Sequence, residues 1–210
     1  MELSNKTLAF LLVGAIAVSL IGTIISLNKL SSMSITGYAS TDTGTAQVNV
    51  SSTTSIRFAV NNIDWGTGIV NTSGGYINCT MNTEGSNSLG CSGFNTVTQG
   101  FVLENDGNTM VGVQLYSNAS AAQFIGGGET GNNPLFMYKV SNNESNSCIS
   151  GLNPTSYTDV NTTPLGTTIC SSNSFNFTDN SDSLRIDILI NIPYNAPSGE
   201  KSATFTATAS

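Results

Sequence analysis

LRIDILINIPYNAPSGEKSATFTATA, residues 184–209, contains two predicted strands joined by a turn. In the first strand every even-numbered residue from Leu184 to Ile192 is apolar, whereas most odd-numbered residues are charged or polar. Successive side chains of a strand point to opposite faces, so one face is wholly apolar and must be buried. Turn-forming residues fill 194–200, and a second alternating run continues from Ala203 to Ala209.

Shorter runs with strand character occur earlier in the chain, and no amphipathic helix is predicted after residue 30. The pattern gives nine or ten short strands separated by turn residues, which favours an all-β fold. We therefore expect an antiparallel β-sandwich of the immunoglobulin-like or jelly-roll kind. The earlier predicted strands are Ala46–Val50, Ile56–Val60, Ile63–Val70, Tyr76–Met81, Phe101–Leu103, Met110–Leu115 and Leu135–Val140.

One pair of these strands has the sequence of a hairpin. Phe101–Leu103 and Met110–Leu115 flank Asn105–Asn108, in which Asp106 is followed by Gly107. An Asp-Gly pair readily supplies the positive φ angle that a tight turn requires, so the two strands are predicted to pair with each other.

A twenty-residue run without charge, Leu8–Leu27 (LAFLLVGAIAVSLIGTIISL), lies near the N-terminus. As a helix at about 1.5 Å per residue it would span roughly 30 Å, the thickness of a bilayer's hydrocarbon core. The chain is thus divided into a hydrophobic helix at 1–30, a Ser/Thr/Gly-rich stalk at 31–45 and the β-sandwich domain at 46–210.

Three interpretations of the hydrophobic run remain open: a cleaved signal, a membrane anchor and a helix that packs against copies of itself. The run is long for a signal peptide, and the nearest small-x-small site, Gly37–Ala39, lies well beyond its end. Lys6 and Lys29 flank it without a useful charge bias. Small residues recur on one helical face and would let two backbones approach closely, which makes them candidates for self-association. They are Ala15, Ser19, Gly22 and Ser26.

Charge excludes several classes of partner. The chain has a net charge of −7 and contains no histidine. From Ser31 onward, four basic residues stand against twelve acidic ones. Nucleic acids and anionic membrane surfaces require a basic patch, so neither is expected as a partner.

Four cysteines form an even set, Cys79, Cys91, Cys148 and Cys170. No pair has C-x-x-C spacing and no histidine could complete a zinc site, so a metal is not expected. Cys79–Cys91 and Cys148–Cys170 are the preferred pairing, because each bridge closes a short loop rich in Gly, Asn and Ser. Disulfides imply an oxidising, extracellular compartment; buried free thiols are the alternative.

No catalytic residue or cofactor is predicted. The absence of histidine excludes Ser-His-Asp and Cys-His nucleophilic sites. Gly126–Asn133 (GGGETGNN) lacks the Lys and Ser/Thr of a phosphate-binding loop. Calcium ligands are available among Asp106, Asn108, Asp179 and Asp182, but their spacing matches no known loop, and solvated turn residues explain them equally well.

Outside the helix, seven Asn-x-Ser/Thr sequons are candidates for N-linked glycosylation. Because Asn, Ser and Thr are abundant, their number alone carries no signal. The candidate acceptors are Asn49, Asn71, Asn78, Asn118, Asn143, Asn161 and Asn176.

The N-terminal helix, the segment GFVLENDGN (100–108) and the C-terminal INIPYNAPSGEKSATFTATA (190–209) resemble small exported β-sandwich surface proteins of archaea. The layout is similar to that of archaeal pilins and archaellins, although no basic-Gly processing site precedes Leu8. More distantly it resembles camelysin and biofilm-fibre proteins, whose heads polymerise by lending a strand to a neighbour. The resemblance implies a structural surface role and no reaction.

These observations predict a structural subunit of an extracellular assembly attached through its helix. A filament of identical copies is expected first, and a surface layer second. Ala46–Val50 and Lys201–Ala209 are the strands most suited to pairing with another chain. The alternative is a membrane-anchored monomeric adhesin or ligand-binding module.

Overall fold

The computed structural model describes residues 5–32 and 47–210. They belong to two compact units, one ending at Asn49 and the other beginning at Val50. Residues 5–32 of the first unit form a helix, α1 (Asn5–Ser32), whose segment Asn5–Lys29 is long and apolar enough to cross a membrane. The predicted stalk lies almost entirely outside the described residues.

The second unit, which we call the head, is built almost entirely from antiparallel strands. One short helix, α2 (Ala121–Phe124), begins at a capping box in which the Ser120 side chain and Gln123 bond reciprocally. The strands are β1 (Arg57–Val60), β2 (Ile69–Val70), β3 (Asn78–Asn82), β4 (Cys91–Ser92), β5 (Phe101–Glu104), β6 (Val111–Ser117), β7 (Leu135–Asn142), β8 (Thr158–Asp159), β9 (Thr167–Phe175), β10 (Ser183–Pro193) and β11 (Phe205–Ala209).

Three sheets organise these strands. The largest has the order β1-β5-β10-β7-β8, and β3 also pairs with β10. A second sheet has the order β11-β6-β9, and β2 pairs with β4 in a third. Buried residues of the two larger sheets form one hydrophobic cluster, so these sheets share a core.

β10 is the central strand of the largest sheet. Its even-numbered residues Leu184, Ile186, Ile188 and Ile190 are at most 4% exposed, which confirms the buried face predicted from the alternation. The opposite face is not simply solvated, because Asp187 is only 3% exposed. Surrounding loops cover this face and supply the hydrogen bonds that its polar groups need.

Thr83 joins two strands that share one edge of β10. β5 pairs with residues 183–186 of β10, and β3 pairs with residues 189–193. Between them the Thr83 amide donates to the Ile188 carbonyl (3.0 Å), and the Ile188 amide donates to the Thr83 hydroxyl (3.0 Å). That hydroxyl donates to Asp187 (2.8 Å), so a fully buried side chain completes the ladder where two strands meet.

The predicted hairpin at residues 101–115 is wrong. β5 pairs with β1 and β10, whereas β6 pairs with β9 and β11, so the intervening turn crosses from one sheet to the other. The buried Asn105 side chain anchors this crossing by donating to the carbonyls of Thr109 (3.0 Å) and Phe175 (3.1 Å). Long-range pairing has overridden a local turn signal.

Gly107 is needed for a different reason from the one predicted. It does not have a positive φ angle. Instead, a Cβ atom at this position would collide with the carbonyl oxygen of Thr53. The Asn108 amide donates to that same oxygen (3.0 Å), so the turn holds the segment that leads into β1.

Other strand boundaries also differ from prediction. Residues 47–50 lie in no strand, and only Ile69–Val70 of the predicted strand 63–70 is extended and paired. β9 was not predicted, because its sequence TTICSSNSF has no regular alternation. The positive φ of Asn173 (53°) interrupts that strand and accounts for the missing period.

Two disulfides join Cys79 to Cys91 and Cys148 to Cys170, the pairing preferred from the sequence. The first links β3 to β4, and the second links the segment before residue 150 to β9. Closing loops of this size stabilises a fold by about 3 kcal/mol each in the chain-entropy model.

Replacing Thr83 with Val keeps the shape of the side chain but leaves the Ile188 amide without its acceptor and Asp187 without a hydroxyl donor. We expect the free energy of unfolding to fall by about 1–3 kcal/mol. Chemical denaturation in detergent solution measures this change. Thr98→Val, at an exposed position, is the control and should stay within about 0.5 kcal/mol of the parent protein. Equal stabilities for the two variants would contradict the role assigned to Thr83.

Candidate assembly surfaces

The first candidate surface is the helix α1. Every described side chain from Asn5 to Lys29 is exposed, including large apolar residues such as Phe10 (82%) and Val18 (71%). The helical periodicity places Ala15, Ser19, Gly22 and Ser26 on one face, as predicted. Apart from its chain neighbours and the backbone of the helix itself, no described atom lies within 4 Å of the position that a Cβ of Gly22 would occupy. A second apolar helix or a lipid chain is the environment that suits this element.

The second candidate surface is the free edge of β11. Ser210 and Gly112 exchange both backbone hydrogen bonds (3.0 and 2.7 Å). In an antiparallel ladder the bonded pairs alternate, so Thr206 and Thr208 also direct their backbone groups towards β6. The N–H and C=O groups of Phe205, Ala207 and Ala209 point the other way, where no described segment pairs with them.

Aromatic rings lie beside this edge. The Phe205 ring packs 5.6 Å from the ring of Phe101, which in turn lies 5.7 Å from the ring of Phe58. The row therefore runs from β11 across the core to β5 and β1. Phe205 is almost fully buried, whereas Phe101 and Phe58 are only half-buried. Apolar surface thus remains next to unpaired backbone groups.

The edges of three other strands, β9, β7 and β1, are covered or distorted. Residues 147–153 bond along β9, for example through the Ser171 amide to the Ser150 carbonyl (3.2 Å). The loop before β8 covers β7, where the Val140 amide donates to the Pro154 carbonyl (2.7 Å). β1 carries a register shift between Phe58 and Val60, a device that discourages pairing with other chains. β11 is the regular edge that the described head leaves open.

Residues 47–50 form an exposed segment that has the alternating pattern of a strand and could pair with an open sheet edge. Val48 is 86% exposed and Val50 is 74% exposed. Gln47 and Asn49 alternate with them, so an extended conformation would place both valines on one face. The following residues are held to the head, where the Asn108 side chain donates to the Ser51 carbonyl (2.9 Å).

A shallow polar depression of about 510 Å³ lies on the outer face of the largest sheet. Its charged groups satisfy one another: Lys139 bonds Glu84 (2.7 Å), and Arg185 bonds Asp187 (2.8 Å). The hydrogen bond from Lys139 holds the pKa of Glu84 below its ordinary value. Burial, together with the neighbouring Glu84 carboxylate, raises the pKa of Tyr157. These contacts attach the loop that carries Glu84 to the largest sheet.

A pair of acidic residues lies where the loop after β7 meets the start of β10. The Glu144 carboxylate accepts the Asp182 backbone amide (3.1 Å), and the Glu144 amide donates to the Ser183 carbonyl (3.3 Å). The Asp182 carboxyl group therefore lies against another acid. Burial first, and then the neighbouring carboxyl of Glu144, raise the pKa of Asp182.

Two of the four candidate calcium ligands, Asp106 and Asn108, are engaged elsewhere. Asp106 forms an ion pair with Arg57 (3.3 Å), and the Asn108 side chain accepts the Thr53 amide (2.6 Å). Within residues 5–32 and 47–210, no group of three or more His, Cys, Asp or Glu residues is arranged to hold a metal ion.

The sequons differ in accessibility. Asn49, Asn118 and Asn143 are exposed, whereas the other four are half-buried. Asn78 lies in β3, and its side-chain nitrogen is 3.4 Å from the side-chain oxygen of Asn132. Asn161 likewise directs its side-chain nitrogen to the Thr167 hydroxyl (3.3 Å). Asn71 and Asn176 use their side-chain oxygens to accept nearby backbone amides.

In comparisons with protein-family models, curated proteins and solved structures, no match to this chain was found.

Replacing Asp182 with Asn removes one of two facing carboxyl groups and retains a side chain that can donate to Glu144. The raised pKa means that the folded head holds this proton more tightly than the unfolded chain does. Its favourable contribution is therefore complete below the ordinary pKa of 3.8 and is lost as pH rises through the raised value. We expect Asp182→Asn to raise the unfolding temperature at pH 7 and to have no effect near pH 3.

Thermal unfolding in detergent at several pH values measures this difference. Asp159→Asn, at an exposed position, is the control for the loss of one acidic side chain. A stabilisation by Asp182→Asn that is the same at pH 3 and pH 7 would contradict the assignment.

Proposed function

We propose that this protein is a structural subunit of an extracellular cell-surface assembly, and that the assembly is a filament of identical copies. A surface layer is the second form that the same contacts would support. The observation that carries the proposal is that the chain offers both halves of a strand addition. β11 has an unpaired edge, and residues 47–50 form an unpaired segment with alternating valines.

In the proposed contact, residues 47–50 of one subunit lie along β11 of the next. The unpaired N–H and C=O groups of Phe205, Ala207 and Ala209 would bond to the incoming backbone, as in β-augmentation. Val48 and Val50 would cover the half-buried rings of Phe58 and Phe101. The head is then a two-layer β-sandwich whose open side is completed by a neighbour. This arrangement reverses one expectation, because the C-terminal strand now accepts a strand instead of lending one.

The helix α1 supplies the second contact. Its apolar surface is unsuited to water, and the small residues Ala15, Ser19, Gly22 and Ser26 would allow close packing of helices from several subunits. The same surface would hold the subunit in the membrane through residues 8–27 before assembly. Both disulfides suit an extracellular location, because such bonds persist in oxidising compartments.

N-linked glycans, where the host adds them, fit the exposed acceptors Asn49 and Asn118 best. Asn143 is also exposed, but its side-chain nitrogen donates to the Ser183 hydroxyl (2.9 Å). Asn78 is the least suitable acceptor, because its side chain is engaged within a paired strand.

The alternative is a monomeric adhesin or ligand-binding module, and an enzyme is not proposed. Binding modules usually place a few convergent polar groups in a concave pocket. The polar depression on the head is shallow, and its four charged side chains bond each other, which leaves them poorly suited to a ligand. Assembly therefore accounts better for the exposed features of this chain.

The variant Val48→Asp tests the proposed strand addition. It would place a carboxylate on the face that contacts the neighbour's rings, while the exposed valine contributes nothing to its own head. We expect the assembled fraction, measured by sedimentation and negative-stain electron microscopy of full-length protein, to fall by more than about tenfold.

Gln47→Asp is the matched control. It introduces the same carboxylate one residue earlier, on the opposite face of the extended segment, and it also leaves the Asn49 sequon intact. We expect Gln47→Asp to assemble like the parent protein. If both variants assemble equally well, the strand addition is wrong. If the parent protein remains monomeric at high concentration without detergent, the proposed function is wrong.

A further inference from the structure

A second set of exposed apolar side chains lies in and around the two-stranded sheet of β2 and β4, which is separate from the sheet that contains β11. We call it the β2–β4 patch, and it consists of side chains that are between 36% and 79% exposed. Its members are Ile69, Tyr76, Ile77, Leu89 and Tyr194.

Hydrogen bonds show that these residues occupy adjacent segments. The Tyr194 amide donates to the Ile77 carbonyl (2.9 Å). A Cβ at Gly90, next to Leu89, would lie 3.1 Å from the Cβ of Tyr76. Ile69 pairs with Ser92 in the two-stranded sheet. The exposed side chains are therefore carried by segments that lie next to one another.

The backbone beneath the patch is fixed. The Cys79–Cys91 disulfide closes the loop that carries Leu89. Within that loop, the Ser88 amide donates to the Thr80 carbonyl (2.8 Å), and the Cys91 amide donates to the Ser88 carbonyl (2.9 Å). A loop held in this way cannot rearrange to bury Leu89 within its own head. The apolar side chains are thus already in position before a partner binds, so less conformational entropy is lost on binding.

The distribution of charged residues around the β2–β4 patch indicates which molecule covers it. Between Trp65 and Leu103 the only charged residue is Glu84, which is paired with Lys139 in the polar depression. At the rim of the patch, Glu129 accepts the Tyr194 hydroxyl (3.3 Å). Elsewhere the head is strongly acidic, so two copies repel each other over most of their surfaces. The Glu129 carboxylate near the β2–β4 patch is bonded to Tyr194, so two copies meet there with less charge repulsion than over the rest of the head.

We propose that the β2–β4 patch is a second contact between copies of this chain, and this inference rests on the proposed function. A membrane surface is the weaker choice of occupant, because an acidic head without basic residues near the patch is repelled by anionic lipid. With the edge of β11, the patch gives each head two separate contacts. A head with two different contacts can link strands of an assembly side by side.

The variant Leu89→Asp tests this contact in the full-length protein. Leu165→Asp is the matched control, since Leu165 is exposed to the same extent (78% against 79%) but lies on the loop before β9. We expect Leu89→Asp to raise the concentration at which half of the protein is assembled by more than about tenfold. Leu165→Asp should leave that concentration unchanged. Thermal unfolding of both variants checks that the heads remain folded.

A photo-cross-linking amino acid at Ile77 gives an independent answer that does not depend on a destabilising charge. Illumination of the assembled protein should produce a covalent dimer of this chain, identified by mass spectrometry. A cross-link to lipid or to an unrelated protein would overturn the inference, as would equal assembly of the two Asp variants. If the parent protein does not assemble at all, the proposed function falls and this inference falls with it. If it assembles and only the patch tests fail, the proposed function stands.

Discussion

Buried backbone N–H and C=O groups must find hydrogen-bond partners, and the architecture of the head follows from how this requirement is met. β10 meets it on both edges, with β7 on one side and with β5, Thr83 and β3 in succession on the other. Loops meet it along β9 and the outer edge of β7. Along the free edge of β11, the backbone N–H and C=O groups have no hydrogen-bond partner within the described head, and they lie beside apolar surface. The proposed function follows from that exception.

The surface of the head carries few charged groups. Charged residues make up only 9% of the chain. Ion pairs of the head join neighbouring strands (Arg57–Glu104), two residues of β10 (Arg185–Asp187), or a loop and β7 (Glu84–Lys139). Exposed pairs of this kind contribute little stability, so the two disulfides and the shared core must hold the head together. Neutral hydrogen-bonding groups cover most of the rest. Close approach of two heads therefore depends on where apolar residues and free backbone groups are exposed.

Patterns of local origin could be predicted from the sequence, whereas features set by distant pairing could not. The alternation of Leu184–Ile192 identified the central strand, and short loop spacing identified both disulfides. The Asp106–Gly107 turn was misleading, because β5 finds its partners in β1 and in β10, far along the chain. β9 was missed because Asn173 breaks its period. The open edge of β11 and the β2–β4 patch depend on which strands pair, and no local signal specifies that.

Amide hydrogen exchange of β11 tests the central claim most directly, because the strand contains its own control. Thr206 and Thr208 donate to β6 within the subunit and should be protected in both the dissociated and the assembled protein. Phe205, Ala207 and Ala209 should exchange rapidly when subunits are apart and become protected by at least about a hundredfold on assembly. Equally rapid exchange of these three amides in both states would show that β11 receives no strand from a neighbour.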